Sequence, residues 1–78
     1  MEAAIAFGRV LRKLRLNAGL TQEQLGFEAD IRRTYVSILE LGQQQPSLST
    51  IIKLAQALNI SSANLMSLVE KEISEVRP

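Results

Sequence analysis

Apolar residues recur at intervals of three and four along most of this chain, which is the spacing of one face of an α-helix. No segment alternates strictly between apolar and polar residues, as a half-buried strand would. The pattern therefore predicts an all-α protein. The recurring positions are Ile5, Phe7, Val10, Leu11, Leu14, Leu25, Ala29, Val36, Leu39, Leu48, Ile51, Leu54, Ala55, Leu58, Leu65, Leu68, Val69 and Ile73.

Polar residues and glycines mark where the predicted helices begin and end. Gly19 suits the left-handed residue that ends a first helix. Thr21 and Gln24 have the spacing of a capping box, so a second helix is expected over residues 22–28. The same reasoning gives five helices in a single domain over residues 1–78, the fifth reaching to about Val76. The other boundaries come from Gly42 and Pro46 after the third helix, Ser47 before the fourth, Asn59 after it, and Ser61 before the fifth.

Composition narrows the class of protein. With 46% hydrophobic and 22% charged residues, the chain has the make-up of a soluble globular domain. It has no cysteine and no histidine, which excludes disulfides and removes the usual ligands of structural zinc. Catalytic nucleophile systems and glycine-rich phosphate loops are missing too, so we expect neither an enzyme nor a cofactor. No apolar run approaches the roughly 20 residues that span a bilayer, and no secretory signal pattern is present, so a cytoplasmic protein is expected.

Charge is unevenly distributed, although the net charge is only +1. Six of the nine basic residues lie in the first 33 positions, whereas residues 66–78 are acidic on balance. This asymmetry is weak support for an anionic partner at one end of the molecule, and ordinary solvated helix faces explain it about as well. The six are Arg9, Arg12, Lys13, Arg15, Arg32 and Arg33.

The second and third predicted helices are short and separated by a turn of only three or four residues. Two such helices cross steeply, which is the geometry of a helix-turn-helix. Gly26 is small where the helices would approach most closely, and a generic helical bundle is the alternative. The inward positions that such a crossing needs are all apolar here: Leu25, Ala29, Ile31, Val36 and Leu39.

The segment from "VLRKLRLNAGLTQEQLG" through "LELGQQQPSLSTIIKLAQALNI" resembles the Cro/C1-type (XRE) family of bacterial and phage regulators. The short length, the "RRTYVS" head of the third helix and the fifth helix are most similar to the controller proteins of restriction-modification systems. The resemblance implies a compact five-helix lambda-repressor-like DNA-binding domain. Asp30 stands where the family often has glycine. Ile38 and Leu41 stand where polar or basic residues are common, so phosphate contacts are not transferred to them.

The resemblance also implies that the head of the third helix enters the major groove of DNA. Arg33 is the candidate for reading a base, because its guanidinium group can donate to guanine O6 and N7 at the same time. A solvated surface arginine is the alternative. Thr34 can offer a hydroxyl or a methyl group, and Ser37 also faces outward. Tyr35 can bond a phosphate, contact a base, or lie on neighbouring apolar side chains.

Further residues are candidates for contacts with the DNA backbone or with protein. Thr21 and Gln22, at the start of the second helix, can hold a phosphate. Gln43 and Gln45, in the loop after the third helix, can add neutral contacts, or simply be solvated. Related activators use acidic residues at the position of Glu23 to contact the polymerase sigma subunit; a favourable charge in a first helical turn is the simpler interpretation.

Two sets of residues are expected to be structural. The resemblance implies an ion pair between Arg15 and Glu40 that fixes the motif against the first helix. On the fifth helix, one apolar stripe can complete the core while the other, with Met66, Val69 and Ile73, would contact a second copy of the chain. A plain buried helix is the alternative.

These expectations combine into a homodimeric transcription regulator that binds a palindromic operator in double-stranded DNA. If the controller resemblance holds, it would activate its own gene and a linked endonuclease gene, and repress them when a second site fills. A phage Cro-like repressor or an antitoxin-type autorepressor is an alternative within the class. A protein-interaction module that has lost DNA binding is an alternative from another class, which Arg33 and Thr34 disfavour.

Overall fold

Five α-helices joined by short connections form the chain in a computed structural model, which describes residues 1–75. Those residues contain no strand, and none of their helices is long and apolar enough to cross a membrane. The all-α prediction and the order of its five helices are confirmed, although Val76 lies outside the described residues. The helices are α1 (Ala3–Asn17), α2 (Gln22–Ala29), α3 (Arg33–Glu40), α4 (Leu48–Ala57) and α5 (Ser62–Glu75).

Side-chain caps begin three of the helices at the predicted residues. At α2, the hydroxyl of Thr21 accepts from the Gln24 amide at 3.0 Å, and the Gln24 side chain accepts from the Thr21 amide at 2.8 Å, which completes the capping box. Ser47 accepts a backbone N–H at the start of α4, and Ser61 does the same at α5. Local sequence therefore sets these helix starts.

One left-handed residue lies in each of the four connections, where it reverses the chain after a helix. Gly19 and Gly42 adopt φ angles of 73° and 71°. Asp30 and Asn59 adopt φ angles of 57° and 58°, in the region that Asp and Asn visit more readily than other residues with a side chain. The aspartate in the α2–α3 turn thus takes the left-handed conformation that Gly19 and Gly42 adopt in two of the other connections.

The core lies where all five helices meet. α2 crosses α3, α1 packs on α3 and α5, and α4 packs on α2 and α5. Leu48 was part of the predicted apolar pattern, but it is 75% exposed because it is the first residue of α4 and precedes the turns that pack. The buried apolar residues are Ala6, Phe7, Val10, Leu11, Leu25, Ala29, Val36, Leu39, Leu54, Ala55, Leu65 and Val69.

The fifth helix is rotated relative to the prediction. Val69 was expected to face a partner subunit, but it is 2% exposed and lies in the core of its own chain with Leu65. Leu68, one of the recurring apolar positions, is 38% exposed, as is Met66. Residues four apart share a helical face more closely than residues three apart, so Leu65 and Val69 form the core stripe. Val69 is therefore unavailable to a second chain.

Candidate nucleic-acid interface

The α2–α3 turn is held against α2 by a close backbone approach at Gly26. The amide of Ile31 donates to the Gly26 carbonyl at 2.9 Å, and a Cβ atom on Gly26 would lie 2.7 Å from the Ile31 carbonyl oxygen. Any side chain at position 26 would push the turn outward. Glycine therefore fixes the crossing of the two helices, in the place where the sequence predicted the closest approach.

The crossing gives α3 one buried face and one outward face. Val36 and Leu39 are fully buried, whereas Arg33 and Thr34, at the head of the helix, are exposed. Ser37 is partly exposed one turn further along. Tyr35 is partly buried and packs against the core, so its ring has both a structural contact and an accessible part.

The start of α2 lies beside the head of α3. A shallow depression of the surface is lined by Arg15, Thr21, Gln22, Glu23 and Arg33. The structure thus brings the candidate base-reading arginine together with both predicted backbone contacts. Glu23 shares this depression and is exposed.

The first turn of α2 offers backbone N–H groups to this depression. The four N–H groups at a helix start have no carbonyl partner within the helix. Here the capping box uses the amides of Thr21 and Gln24. The amides of Gln22 and Glu23 have no hydrogen-bond partner within the described residues and lie at the positive end of the helix dipole. This is the arrangement by which helix starts bind phosphate.

Glu40 and Arg15 form a bidentate ion pair beneath the depression. The Glu40 carboxylate accepts from Arg15 Nε at 2.6 Å and from Nη2 at 3.0 Å. The two side chains are only 9% and 4% exposed, and Arg15 Nη1 also donates to the Leu20 carbonyl at 2.9 Å. The hydrogen bond that Arg15 donates to Glu40 raises the pKa of Arg15 above its ordinary value, so the guanidinium stays charged. The pair joins α1, the α1–α2 connection and the end of α3.

A contact that the sequence did not predict joins Gln22 to this pair. The Gln22 side-chain amide donates from Nε2 to Glu40 Oε1 at 3.1 Å. The two residues are 18 positions apart and belong to different helices. No local spacing rule connects them, so only the packed structure shows the bond.

The glutamines after α3 lie in two different places. Gln43 is exposed directly after α3. Gln45 instead lines an apolar groove with Phe7, Pro46 and Met66, and not the depression that holds Arg33. The structure therefore does not bring Gln45 to the other predicted DNA contacts.

Ion pairs within the chain account for part of the basic charge in the first 33 residues. Arg9 and Lys13 lie 3.8 and 3.3 Å from the Glu72 carboxylate, which ties α1 to α5. Since Glu40 also neutralises Arg15, half of the six cations serve pairs within the described part of the chain. The exposed cations of the motif itself are Arg32 and Arg33. Arg32 directly precedes α3, makes no capping hydrogen bond with its side chain, and was not among the predicted contacts.

An open helix start, a neighbouring helix with an exposed arginine, and a glycine-fixed crossing define a helix-turn-helix DNA-binding protein. Comparison with known proteins agrees with this class. The family model described as "Helix-turn-helix" matches residues 11–65. The chain belongs to this helix-turn-helix family, of the Cro/C1 (XRE) type, whose members are DNA-binding transcription regulators and not a class of enzymes.

Among its relatives are proteins of restriction-modification systems. The control protein C.BamHI of Bacillus amyloliquefaciens is 38% identical over 63 residues, which cover 80% of this chain and 78% of that protein. The crystal structure of the controller protein C.AhdI of Aeromonas hydrophila matches with a TM-score of 0.77 and 45% identity, over 80% of this chain and 94% of that one. The controller protein C.Esp1396I, crystallised as a tetramer with its natural 35 base-pair operator, matches with a TM-score of 0.85 and 26% identity, over 94% and 96% of the two chains.

Proposed function

We propose that this protein is a controller-type transcription regulator that binds a palindromic operator as a homodimer. The observation that carries the proposal is the shared depression of Arg33 and Gln22, beside the open N–H groups of α2. Phosphate groups and base edges are both within reach of one such surface. Phosphate contacts set the register of a protein on DNA, while base contacts specify the sequence.

The roles within this surface follow from exposure and chemistry. Arg33 reads a base edge from the major groove, with Thr34 beside it. The α2 amides and the Gln22 side chain hold a phosphate of the same half-site. Ser37 and Tyr35 are secondary contacts because each is partly buried. Gln43 supplies a neutral backbone contact after α3.

Dimerisation is proposed through the outward side of α5. Met66 is 38% exposed and adjoins the apolar groove lined by Phe7, Pro46 and Ile51. Ile73 lies about two turns further along the same helix, where it is partly buried and packs against the edge of its own core. A symmetric contact between two such faces would place two recognition helices about 34 Å apart, one turn of duplex, which selects a palindrome.

Regulation of transcription adds two further parts to the proposal. Glu23 is exposed on the first turn of α2 and is the proposed contact for the polymerase sigma subunit. The tetramer of C.Esp1396I on one operator supports an arrangement in which two dimers of this protein occupy adjacent sites. Such an arrangement would allow one site to activate and the second to repress.

Selection of bound duplexes from a random pool tests the proposal directly. We expect an inverted repeat with half-sites about one helical turn apart. Sedimentation of the complex then counts the chains on each selected duplex. Recovery of sequences without a shared motif would contradict sequence-specific binding. A single asymmetric site bound by one chain would contradict the dimer and leave DNA binding intact.

A further inference from the structure

The carboxylate of Glu40 accepts hydrogen bonds from two different elements of the fold. Arg15 on α1 supplies Nε at 2.6 Å and Nη2 at 3.0 Å, one to each oxygen. Gln22 on α2 supplies Nε2 at 3.1 Å, to the same oxygen as Nη2. An ionised carboxylate has about four lone-pair sites, so Glu40 can accept the third bond without weakening the two bonds from Arg15.

The third bond fixes which way the Gln22 amide faces. A carboxylate can only accept, so the nitrogen of the amide must point at Glu40. One N–H of that nitrogen is then used, and the other remains available to an external acceptor. A glutamine without this bond could turn its amide over and present an oxygen, which a phosphate would repel.

The acceptor that fits this second N–H is a phosphate oxygen. Gln22 lies in the depression with Arg33 and Thr21, at the α2 start, where the backbone amides of Gln22 and Glu23 have no partner within the described residues. A carboxylate below a phosphate site would ordinarily oppose binding. The Arg15 guanidinium forms a buried bidentate ion pair with Glu40 and so cancels that charge.

We propose that Glu40 is a positioning residue for the DNA backbone contact: it holds the Gln22 amide with its second N–H directed at a phosphate. This positioning role rests on the proposed DNA-binding function. It gives Glu40 a second role, in addition to the structural ion pair with Arg15. A side chain ordered before binding loses less conformational freedom on binding. Since Gln22 is neutral, its contact contributes affinity without contributing to the salt dependence.

A double-mutant cycle separates positioning from scaffolding. The four proteins are the wild type, Gln22→Ala, Glu40→Gln and the double variant, each titrated with the selected operator duplex at several salt concentrations. Gln22→Ala should weaken binding about tenfold or more, as expected for a hydrogen bond to a charged group, with an unchanged salt slope. If Glu40 acts through Gln22, Glu40→Gln should weaken binding strongly in the wild-type background and much less in the Gln22→Ala background.

Equal fold-losses in the two backgrounds would overturn the inference, because a purely structural Glu40 acts whether or not Gln22 is present. Gln24→Ala is the matched control, since it removes another side-chain bond at the α2 start without touching Glu40. Its effect should multiply with that of Glu40→Gln. Glu40→Asp, which keeps the charge but withdraws the carboxylate by one methylene, replaces Glu40→Gln in the cycle if circular dichroism shows the latter unfolded.

Failure of the two proposals is distinguishable. If the random pool yields no preferred duplex, the proposed function fails, and the positioning role fails with it. If a palindrome is selected and bound but the cycle shows independent effects, the function stands and only the role of Glu40 is refuted.

Discussion

Arg15, near the end of α1, and Glu40, at the end of α3, form a bidentate ion pair with donor–acceptor distances of 2.6 and 3.0 Å. Both side chains are largely removed from solvent. Burial of two charges is favourable only when each satisfies the other. The pair therefore makes the position of α3 depend on α1, a helix that does not itself belong to the helix-turn-helix.

Removal of one member of this pair should be costly. Glu40→Ala leaves the Arg15 guanidinium buried without its partner, and we expect a loss of about 3–5 kcal/mol in the free energy of unfolding. Urea unfolding monitored by circular dichroism measures it. Glu75→Ala is the control, because its pair with Lys71 is exposed at 3.8 Å and such pairs contribute about 0–1 kcal/mol. A Glu40→Ala protein that unfolds like the wild type would show that the pair is not structural.

Gly8 should tolerate no side chain, although it lies inside a helix. A Cβ atom there would meet the backbone carbonyl oxygens of Leu39 and Glu40, the latter at 2.7 Å. Helix propensity alone predicts that Gly8→Ala stabilises by about 0.5–1 kcal/mol. The clash predicts the opposite sign, a loss of about 1–3 kcal/mol.

The same unfolding measurement decides between the two signs for Gly8→Ala. Gly19→Ala separates sterics from backbone strain, because nothing lies within 4 Å of a Cβ atom there and only its positive φ opposes the change. That variant should lose about 1–2 kcal/mol. A stabilised Gly8→Ala would mean that α1 and α3 are less closely packed than described.

Arg33 should determine base preference. Arg33→Ala should cost about 1–3 kcal/mol on the operator and flatten the preference at one position of each half-site. Gln22→Ala should weaken binding to all sequences alike. Arg33→Gln at several salt concentrations is the control for charge, since a lost phosphate contact lowers the salt slope by about one unit and a lost base contact need not. Wild-type base preference in the Arg33 variants would transfer the reading role to Thr34 or Tyr35.

Charge on the outward side of α5 should separate the proposed dimer. Met66→Asp places a charge where the proposed contact would remove the side chain from water, and it should yield a folded monomer in sedimentation at micromolar concentration. Ile73→Asp is expected to act in the same direction. Val69→Asp should unfold the chain instead, because Val69 is a core residue. If wild-type protein sediments as one chain while it binds palindromic DNA tightly, the dimer proposal is wrong.

The sequence was sufficient for features that depend on neighbours along the chain. The capping box of Thr21 and Gln24, the left-handed Gly19 and the short α2 and α3 are local, and each was predicted within a residue or two. Gly26 was also identified, because the helix-turn-helix fixes where its two helices meet.

Features that depend on tertiary packing were not predictable in the same way. From the sequence alone, Gly8 would be expected only to destabilise α1. Its need for a hydrogen in place of a side chain becomes visible once α3 is packed against it. The bond between Gln22 and Glu40 joins residues 18 positions apart. Burial of Val69 and not of Leu68 depends on which of two positions about 100° apart on the helical wheel faces the core, and two adjacent apolar stripes do not determine it.

The four connections between helices are short, the longest being residues 41–47, and each contains one left-handed residue that returns the chain at once. Helical chains with such local contacts fold in about microseconds to milliseconds. Ribosomes add about 5–20 residues per second, so a chain of this length takes about 4–16 s to synthesise. The time needed for folding is therefore negligible beside the time needed for synthesis of the chain. If the proposed dimer is the active form, the delay before the protein becomes active is set by translation and by the concentration at which two chains associate.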